Sequence, residues 1–450
     1  MRTDDIIGDL RVLVASQSGF DRADICARAT EVKSIGAHQN RLEDFSYSMN
    51  WEIALRLQKG ESCVVVSGSS PEKDFLKSLV DQATSLLRSA RFGPTAKIRT
   101  IENDSDSMDE GPDQELEIPS EEKAQRVLNL VSNVSKGSTS PIEEVYGKYT
   151  EQKVSERYWS SGSNKSLYLV KKNFQIKTRT LARLKGREPF IEFYEDRAQY
   201  FDLDWSKLAK NSGLLAGRLA NSSSLGAGSY RCLMDAPVVT KLLALLGQQL
   251  QGNRVARGLS CFKKDEIGKA IFSPKLTVLD DPRDFKRWGF RPFDAEGIAT
   301  QRNIFIRSGV LESIALDAQA AEDLMLKPNG QAVRDNLLFH PQPGFHNLTI
   351  EPGTIDFVDL ERELGKGIRL ISVDSLELTQ PRIGQFLASF SGFMMEKGQI
   401  TQSLSRILVR GDLQNVFSNI IAVGRDLHFS GRCAAPAVLV DSMFVMGEQN

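Results

Sequence analysis

The sequence predicts an α+β protein, with a mixed α/β N-terminal domain over residues 1–225 followed by a β-rich domain over 226–450. Three observations carry that expectation. Residues 70–94 and 120–137 repeat apolar side chains at three- and four-residue spacing, the period of an amphipathic helix. Between 154 and 193 the period falls to two, as in hairpin strands. From 276 to 446, short Val, Ile, Leu and Phe runs are cut by Gly, Pro, Asp and Asn, the pattern of a strand-rich domain.

In chain order, the apolar runs at 52–57 and 62–67 are short enough to be strands. The following helix takes Ser70 as N-cap and Pro71 as its first residue, and places Phe75, Leu76, Leu79, Val80, Ala83, Leu86 and Leu87 on one side before Gly93-Pro94. Residues 101–120 hold eight acids, no Lys or Arg, and Gly111, Pro112 and Pro119, the composition of a solvated linker or loop. Ser120-Glu121-Glu122 then caps a second helix bearing Ala124, Val127, Leu128, Val131 and Val134, which ends at Lys136-Gly137. Leu167, Leu169, Phe174, Ile176, Phe190, Ile191 and Phe193 mark strands, with turns at Ser161-Gly162, Asn173 and Lys185-Gly186. Residues 205–219 return to a helical pattern, and the Ser/Gly-rich 221–228 makes a domain boundary. After Tyr230 one clear helix stands out, over 237–250.

Charge and composition exclude several function classes. The chain of 450 residues has 57 Lys+Arg against 58 Asp+Glu, a net charge of -1, so global attraction to a polyanion is not indicated. No apolar run approaches the ~20 residues of a membrane span, and the opening MRTDDIIGDL lacks the apolar core of a secretory signal. The five cysteines are odd in number and show no C-x-x-C spacing, which fits reduced thiols and a cytoplasmic location. Residues 226–228 are Gly-rich without the Lys-Ser/Thr of a P-loop.

A series of spaced motifs fills the C-terminal half: LTVLDDP at 276–282, FDAEGIATQRNIFIRSGVL at 293–311, NLTIEPG at 347–353, FSGFMMEKGQI at 390–400, NIIAVGRDL at 419–427, and a late Cys433. In order and spacing they resemble the TldD/PmbA family, the "modulator of DNA gyrase" proteins regarded as zinc-dependent peptidases and their partners. The resemblance implies an α+β N-terminal region, a β-rich C-terminal domain, and two related subunits enclosing a peptide. The metal-bearing TldD kind has an H-E-x-x-x-H run on a helix, whose spacing aims two imidazoles at one zinc and leaves a position that activates water. The corresponding segment here, CLMDAPVVTKLLALLGQQL at 232–250, has no His and no Glu. Asp235 and Thr240 cannot replace two imidazoles, and the segment resembles the PmbA (TldE) kind that lacks the zinc motif.

The resemblance therefore implies a PmbA/TldE-like subunit with no catalytic metal of its own and no cofactor, paired with a TldD-like zinc-bearing partner and acting on a peptide or unfolded protein. A homodimer is the other arrangement left open, and no membrane is involved. His38 lies isolated in a polar stretch and reads as a surface residue. His340, His346, His428 and Cys433 are the alternative metal-ligand set, and Cys433 with His428 five residues earlier is the one candidate nucleophile pair. A basic stretch over 165–187 holds eight Lys/Arg and no acids (Lys165, Lys171, Lys172, Lys177, Arg179, Arg183, Lys185, Arg187). It reads as a solvated strand face, with an acidic peptide or subunit second, and it is the sole support for a stand-alone nucleic-acid or gyrase-associated binding protein. If 235–250 is a packing helix, Val238, Val239, Leu242, Leu243, Leu245 and Leu246 should be buried.

Overall fold

The computed structural model describes residues 2–90, 98–101, 118–138, 140–163, 165–182, 190–220 and 222–446. Helix α1 (Thr3–Ala15) leads into a long hairpin, β1 (Arg22–His38) and β2 (Arg41–Lys59), followed by β3 (Ser62–Gly68), α2 (Lys73–Ser89), α3 (Ser120–Gly137), β4 (Ile142–Ser160), β5 (Leu167–Ala182), β6 (Phe190–Arg197) and α4 (Trp205–Leu219). The six strands form one sheet in the order β3-β2-β1-β4-β5-β6. Every pairing in it is antiparallel. Gln39 and Asn40, both at positive φ (44° and 66°), close the β1–β2 hairpin in the left-handed backbone a two-residue turn requires.

Alternate side chains of this sheet serve two different layers. Ala23, Ile25, Ala27, Ile53, Leu55 and Leu57 face α1 and α2, while Ile35, Tyr149 and Ile176, further along the same face, pack under α3 and α4. On the opposite face Cys26, Ala54, Tyr158, Leu167 and Leu169 pack against Phe290, Phe293 and Leu337 of the C-terminal half. Burial on both faces erases the alternation of β1, and the sequence analysis named neither β1 nor α1.

The C-terminal half begins with β7 (Gly228–Met234), α5 (Ala236–Gln249), α6 (Gly252–Ala256), β8 (Val278–Asp280), β9 (Asn303–Arg307), β10 (Val310–Leu311), α7 (Ala318–Asp323), β11 (Ala332–Val333), β12 (Gln342–Pro343) and β13 (Leu348–Ile350). It continues with α8 (Phe357–Leu364), β14 (Lys366–Gln380), β15 (Gln385–Glu396), β16 (Gln399–Asp412), α9 (Leu413–Ser418), β17 (Ile420–Val423), β18 (His428–Ser430), β19 (Cys433–Ala435) and β20 (Val438–Met446). One sheet runs β16-β15-β14-β7-β20-β17, and the added β16–β20 pairing closes five of its strands into a small barrel. A second sheet runs β10-β9-β8-β13-β19-β18, and α5 touches both, packing on β14 of the barrel and on β13, β18 and β19 of the second sheet. Val238, Val239, Leu242, Leu243 and Leu246 are buried and Leu245 is half-buried against the same core, as a packing helix requires.

Several local readings change. The second helix starts at Lys73 with Glu72 at the N-cap position, and Ser70 instead accepts the Glu72 N–H at 3.3 Å in a turn just outside it. Ser120 is the first helical residue of α3, with Pro119 before it, so its side chain caps nothing. Asn173 makes no turn: β5 runs through it unbroken, because β4 pairs with it along its whole length. The run at 52–57 belongs to the 19-residue β2. The short helices α6 to α9 carried too few turns to show a period. Gly93-Pro94, Lys185-Gly186 and all eight acids of the 101–120 stretch lie outside the described residues.

Candidate functional site

Between the N-terminal sheet and the barrel lies a cleft of about 360 Å³. Helix α4 forms one wall, and its period decides which residues line it: Lys207, Asn211, Leu214 and Arg218 recur at four-, three- and four-residue spacing along one stripe. Asp204 fixes where that helix starts, because its carboxylate accepts the Lys207 N–H at 2.9 Å. The facing wall is the start of α5 (Asp235, Ala236, Pro237), the apolar side of α8 (Phe357, Leu360) and the chain over 424–428. Phe193, Glu195 and Arg197 of β6 close one end.

Most charges in the cleft cancel in pairs. Asp235 occupies the N-cap position of α5, yet its carboxylate takes Arg369 at 2.9 and 2.8 Å rather than capping the helix. Arg369 also reaches Glu361 at 2.9 Å and stacks over Phe357 at 4.6 Å, which pins α5, α8 and β14 together. Arg197 pairs with Glu195, and Arg425 with Asp356 at 3.0 Å. Burial raises Glu195 and Asp196 above the usual carboxylate range. Arg369→Ala is expected to lower stability by about 2 kcal/mol in urea unfolding, because it strands two partly buried carboxylates that keep some access to water; an unchanged midpoint would show that this three-element clamp is not structural.

The structure separates the four candidate ligands. His340 is partly buried, lowered to about 4 by burial and then by Arg56 and Arg334. His346 is fully buried, with its ring held well below its usual range by burial and by Arg291, Arg432 and Lys171, while its backbone N–H donates to Asp280 at 3.1 Å. His428 lines the cleft, lowered to about 4 by burial and by Arg197, Lys207 and Lys241. It lies on β18, paired to β19, where Cys433 opposes Ser430 and Ala435 opposes His428. Burial, with Asp280 nearby, pushes the Cys433 thiol up to about 12, which favours its protonated form at neutral pH. His38 is half-buried beside Glu43 at 3.2 Å.

Zinc does not fit the residues on α5. Leucines fill its buried face, Thr240 donates its hydroxyl to the Pro237 carbonyl at 2.9 Å, and Asp235 is held by Arg369. Among the described residues no group of three or more His, Cys, Asp or Glu side chains is placed to hold a metal ion. No helix among them is long and apolar enough to cross a membrane.

The spaced motifs prove to be loop architecture more than chemistry. Asp280 accepts the backbone N–H groups of His346 and Asn347. Asp294 accepts those of Glu296 (2.9 Å), Ile298 (3.0 Å) and Ala332 (3.1 Å). Gly297 sits at φ 78° against the Tyr158 ring. In the basic stretch, Lys171 is half-buried with its ammonium donating to the Trp288 carbonyl at 2.9 Å, Lys177 pairs with Glu192 at 2.7 Å, and Lys165, Lys172 and Arg179 are also engaged. Arg183, Lys185 and Arg187 lie outside the described residues. Lys207, Arg218, Arg369 and Asp426 were not legible in the sequence as cleft residues; the four-residue spacing of polar side chains along α4 was the one available signal.

Residues 227–447 match the model of the PmbA/TldA metallopeptidase C-terminal domain. The chain is 29% identical over 221 residues to the metalloprotease PmbA of Escherichia coli O157:H7, a match covering 48% of this chain and 46% of that protein, so it spans about half the length of this relative. Its fold is shared by TldE of Thermococcus kodakarensis (TM-score 0.84, 16% identity, 99% of each chain). It is shared equally by a Thermotoga maritima chain described as a candidate modulator of a DNA gyrase (TM-score 0.84, 19% identity, 98% of this chain and 99% of that one). With motifs, barrel and family match in agreement, the C-terminal half of the chain, residues 227–447, belongs to the PmbA/TldD metallopeptidase family.

Proposed function

We propose that this chain is a PmbA/TldE-like subunit, divided at about 225/226, that carries no catalytic metal, binds extended peptide in the cleft between α4 and α5, and completes a zinc peptidase whose metal sits on a TldD-like partner in the cytoplasm. The observation that carries the reading is α5: the helix that bears ligands in the metal-bearing kind is here packed with leucines, while the cleft at its N-terminus stays open and lined by both apolar and charged groups. An extended peptide needs little from such a cleft beyond main-chain partners and apolar contacts, so trimming of varied peptides suits it. Association with another chain is supported by β2, which outruns β3: among the described residues no strand pairs with 41–52 on that edge, and Phe45, Tyr47 and Met49 are exposed there.

Mixing this chain with its zinc-bearing relative is expected to give peptidase activity several-fold above either chain alone, read with a quenched fluorescent peptide. Equal activity of the relative with and without this chain would sink the subunit role. Stoichiometric zinc retained after dialysis, with activity in the absence of any partner, would sink the metal-free assignment.

A further inference from the structure

On the reading that the cleft takes peptide, the charges left over in it specify which peptide. Arg197, Arg369 and Arg425 are neutralised by Glu195, Asp235 with Glu361, and Asp356. What remains is Lys207 and Arg218 on the α4 wall and Asp426 opposite; among the described residues the side chains of these three make no hydrogen bond or ion pair. Over the cleft and its ion pairs the charges balance, because Arg369 holds two carboxylates, but they are unevenly placed: both basic side chains of the α4 wall, Lys207 and Arg218, stand outside those pairs. Arg197, Lys207 and Lys241 all act on His428 in the sense that disfavours its charged form, which marks a positive field at that end of the cleft.

The spacing is as informative as the sign. Lys207 and Arg218 lie on one stripe of α4, about 16 Å apart at 1.5 Å of rise per residue; carboxylates four residues apart on an extended chain, on one side of it, are about 13 Å apart at ~3.3 Å per residue, and the long Lys and Arg side chains span the remainder. Between them the wall carries one polar side chain, Asn211, beside a leucine patch of half-buried Leu214 and buried Leu208 and Leu215, with Pro237 and Leu360 also lining the cleft. We propose that the cleft selects acidic peptides: extended segments whose carboxylates, four residues apart, pair with Lys207 and Arg218 while an apolar residue between them sits on the leucines. Charge pairs at the mouth of a cleft are partly screened, so the selection is expected to weaken as salt rises.

The test uses the full chain and two fluorescein-labelled pentapeptides, Glu-Ala-Leu-Ala-Glu with a free C-terminal acid and Gln-Ala-Leu-Ala-Gln amide, read by fluorescence anisotropy at 50 and 500 mM NaCl. The acidic peptide is expected to bind at least tenfold tighter at low salt, with the gap closing at high salt. The double variant Lys207→Glu, Arg218→Glu, at two exposed positions whose folding is checked by circular dichroism, is expected to abolish the preference. Equal affinity for the two peptides would overturn acidic selection while leaving the cleft as a peptide site. Absence of binding by both would overturn the cleft reading itself. A preference that survives the double variant would overturn the assignment to Lys207 and Arg218.

Discussion

Asp24→Ala is expected to destabilise the protein by about 3–5 kcal/mol in urea unfolding at pH 7, the cost of leaving one half of a buried ion pair behind. Arg56 is fully buried between the N-terminal sheet and the C-terminal half, and its guanidinium meets the Asp24 carboxylate through both Nε and Nη2. Tyr158 adds its hydroxyl to the same carboxylate at 3.2 Å. Register makes the pair: β1 and β2 set Asp24 directly opposite Arg56 on the face that the C-terminal half covers. Asp24→Asn, which keeps an acceptor, is expected to cost less than Asp24→Ala, and Asp24→Asn with Arg56→Met should recover much of the loss because no unpaired charge remains. A loss below about 1 kcal/mol for Asp24→Ala would show that the neighbouring carboxylates have taken over as counter-charge to Arg56.

Those carboxylates give the second large effect. Asp294, Glu296 and Asp317 are all buried. Burial, then Asp294 and Asp317, raise Glu296 to about 8 from an ordinary 4.5. The folded protein therefore keeps a proton that the unfolded chain has already released between those values, so this group's contribution to stability is full below pH 4.5 and is lost as pH rises through 8. The slope approaches about 1.4 kcal/mol per pH unit where the folded and unfolded forms differ by a whole proton. Between pH 7.5 and 8.5 these other shifted groups change little: His340 and His428, lowered to about 4 from an ordinary 6.5, are largely neutral in both states, and Asp280, Asp294 and Asp317, raised to about 6, are largely ionised in both. Glu296→Gln keeps an oxygen for the Ala318 N–H that Glu296 accepts at 2.8 Å and removes the titration. The variant is expected to match the parent only at and below about pH 4.5, to exceed it by about 1 kcal/mol at pH 5.5 and by a few kcal/mol at pH 8.5, with a nearly flat profile of its own between pH 7.5 and 8.5. Parallel profiles for the two proteins would place the shared proton on Asp294 or Asp317 instead.

The two groups meet at the interface of the halves, where Arg56 acts on Glu296 through space, and the same interface carries a wider ion network. Arg28 of β1 bonds Glu52 at 3.2 Å and Glu156 at 2.8 Å, Arg291 from the C-terminal half meets the other oxygen of Glu156, and Arg28 also donates to the Arg334 and Asp335 carbonyls at 2.8 and 3.0 Å. Arg28 and Arg291 together hold the Glu156 carboxyl down to about 2 against its burial. The cleft therefore lies between two units that buried charges hold in one relative position, which keeps the α4 wall at a set distance from α5.

What the sequence determined by itself is the part of the protein governed by local periodicity and by spaced motifs. Helices α3, α4 and α5 were legible because each buries one stripe, and the fate of α5 as a packing helix followed from Val238, Val239, Leu242, Leu243 and Leu246 alone. The family was legible in the C-terminal motifs, whose Asp280 and Asp294 must satisfy particular backbone N–H groups and so tolerate little change in spacing. Only the tertiary structure decided the site. Lys207, Asp235, Arg369 and His428 come from α4, α5, β14 and β18, and nothing within any one of these segments records that the others will face it. Whether a charge is cancelled or left to bind a ligand is likewise a property of the pair: Asp235 is neutralised by a residue 134 positions away, while among the described residues Lys207 makes no side-chain ion pair and acts on Glu195 only through space. Coulomb interactions depend on separation in space, and over such distances along the chain only the fold supplies it.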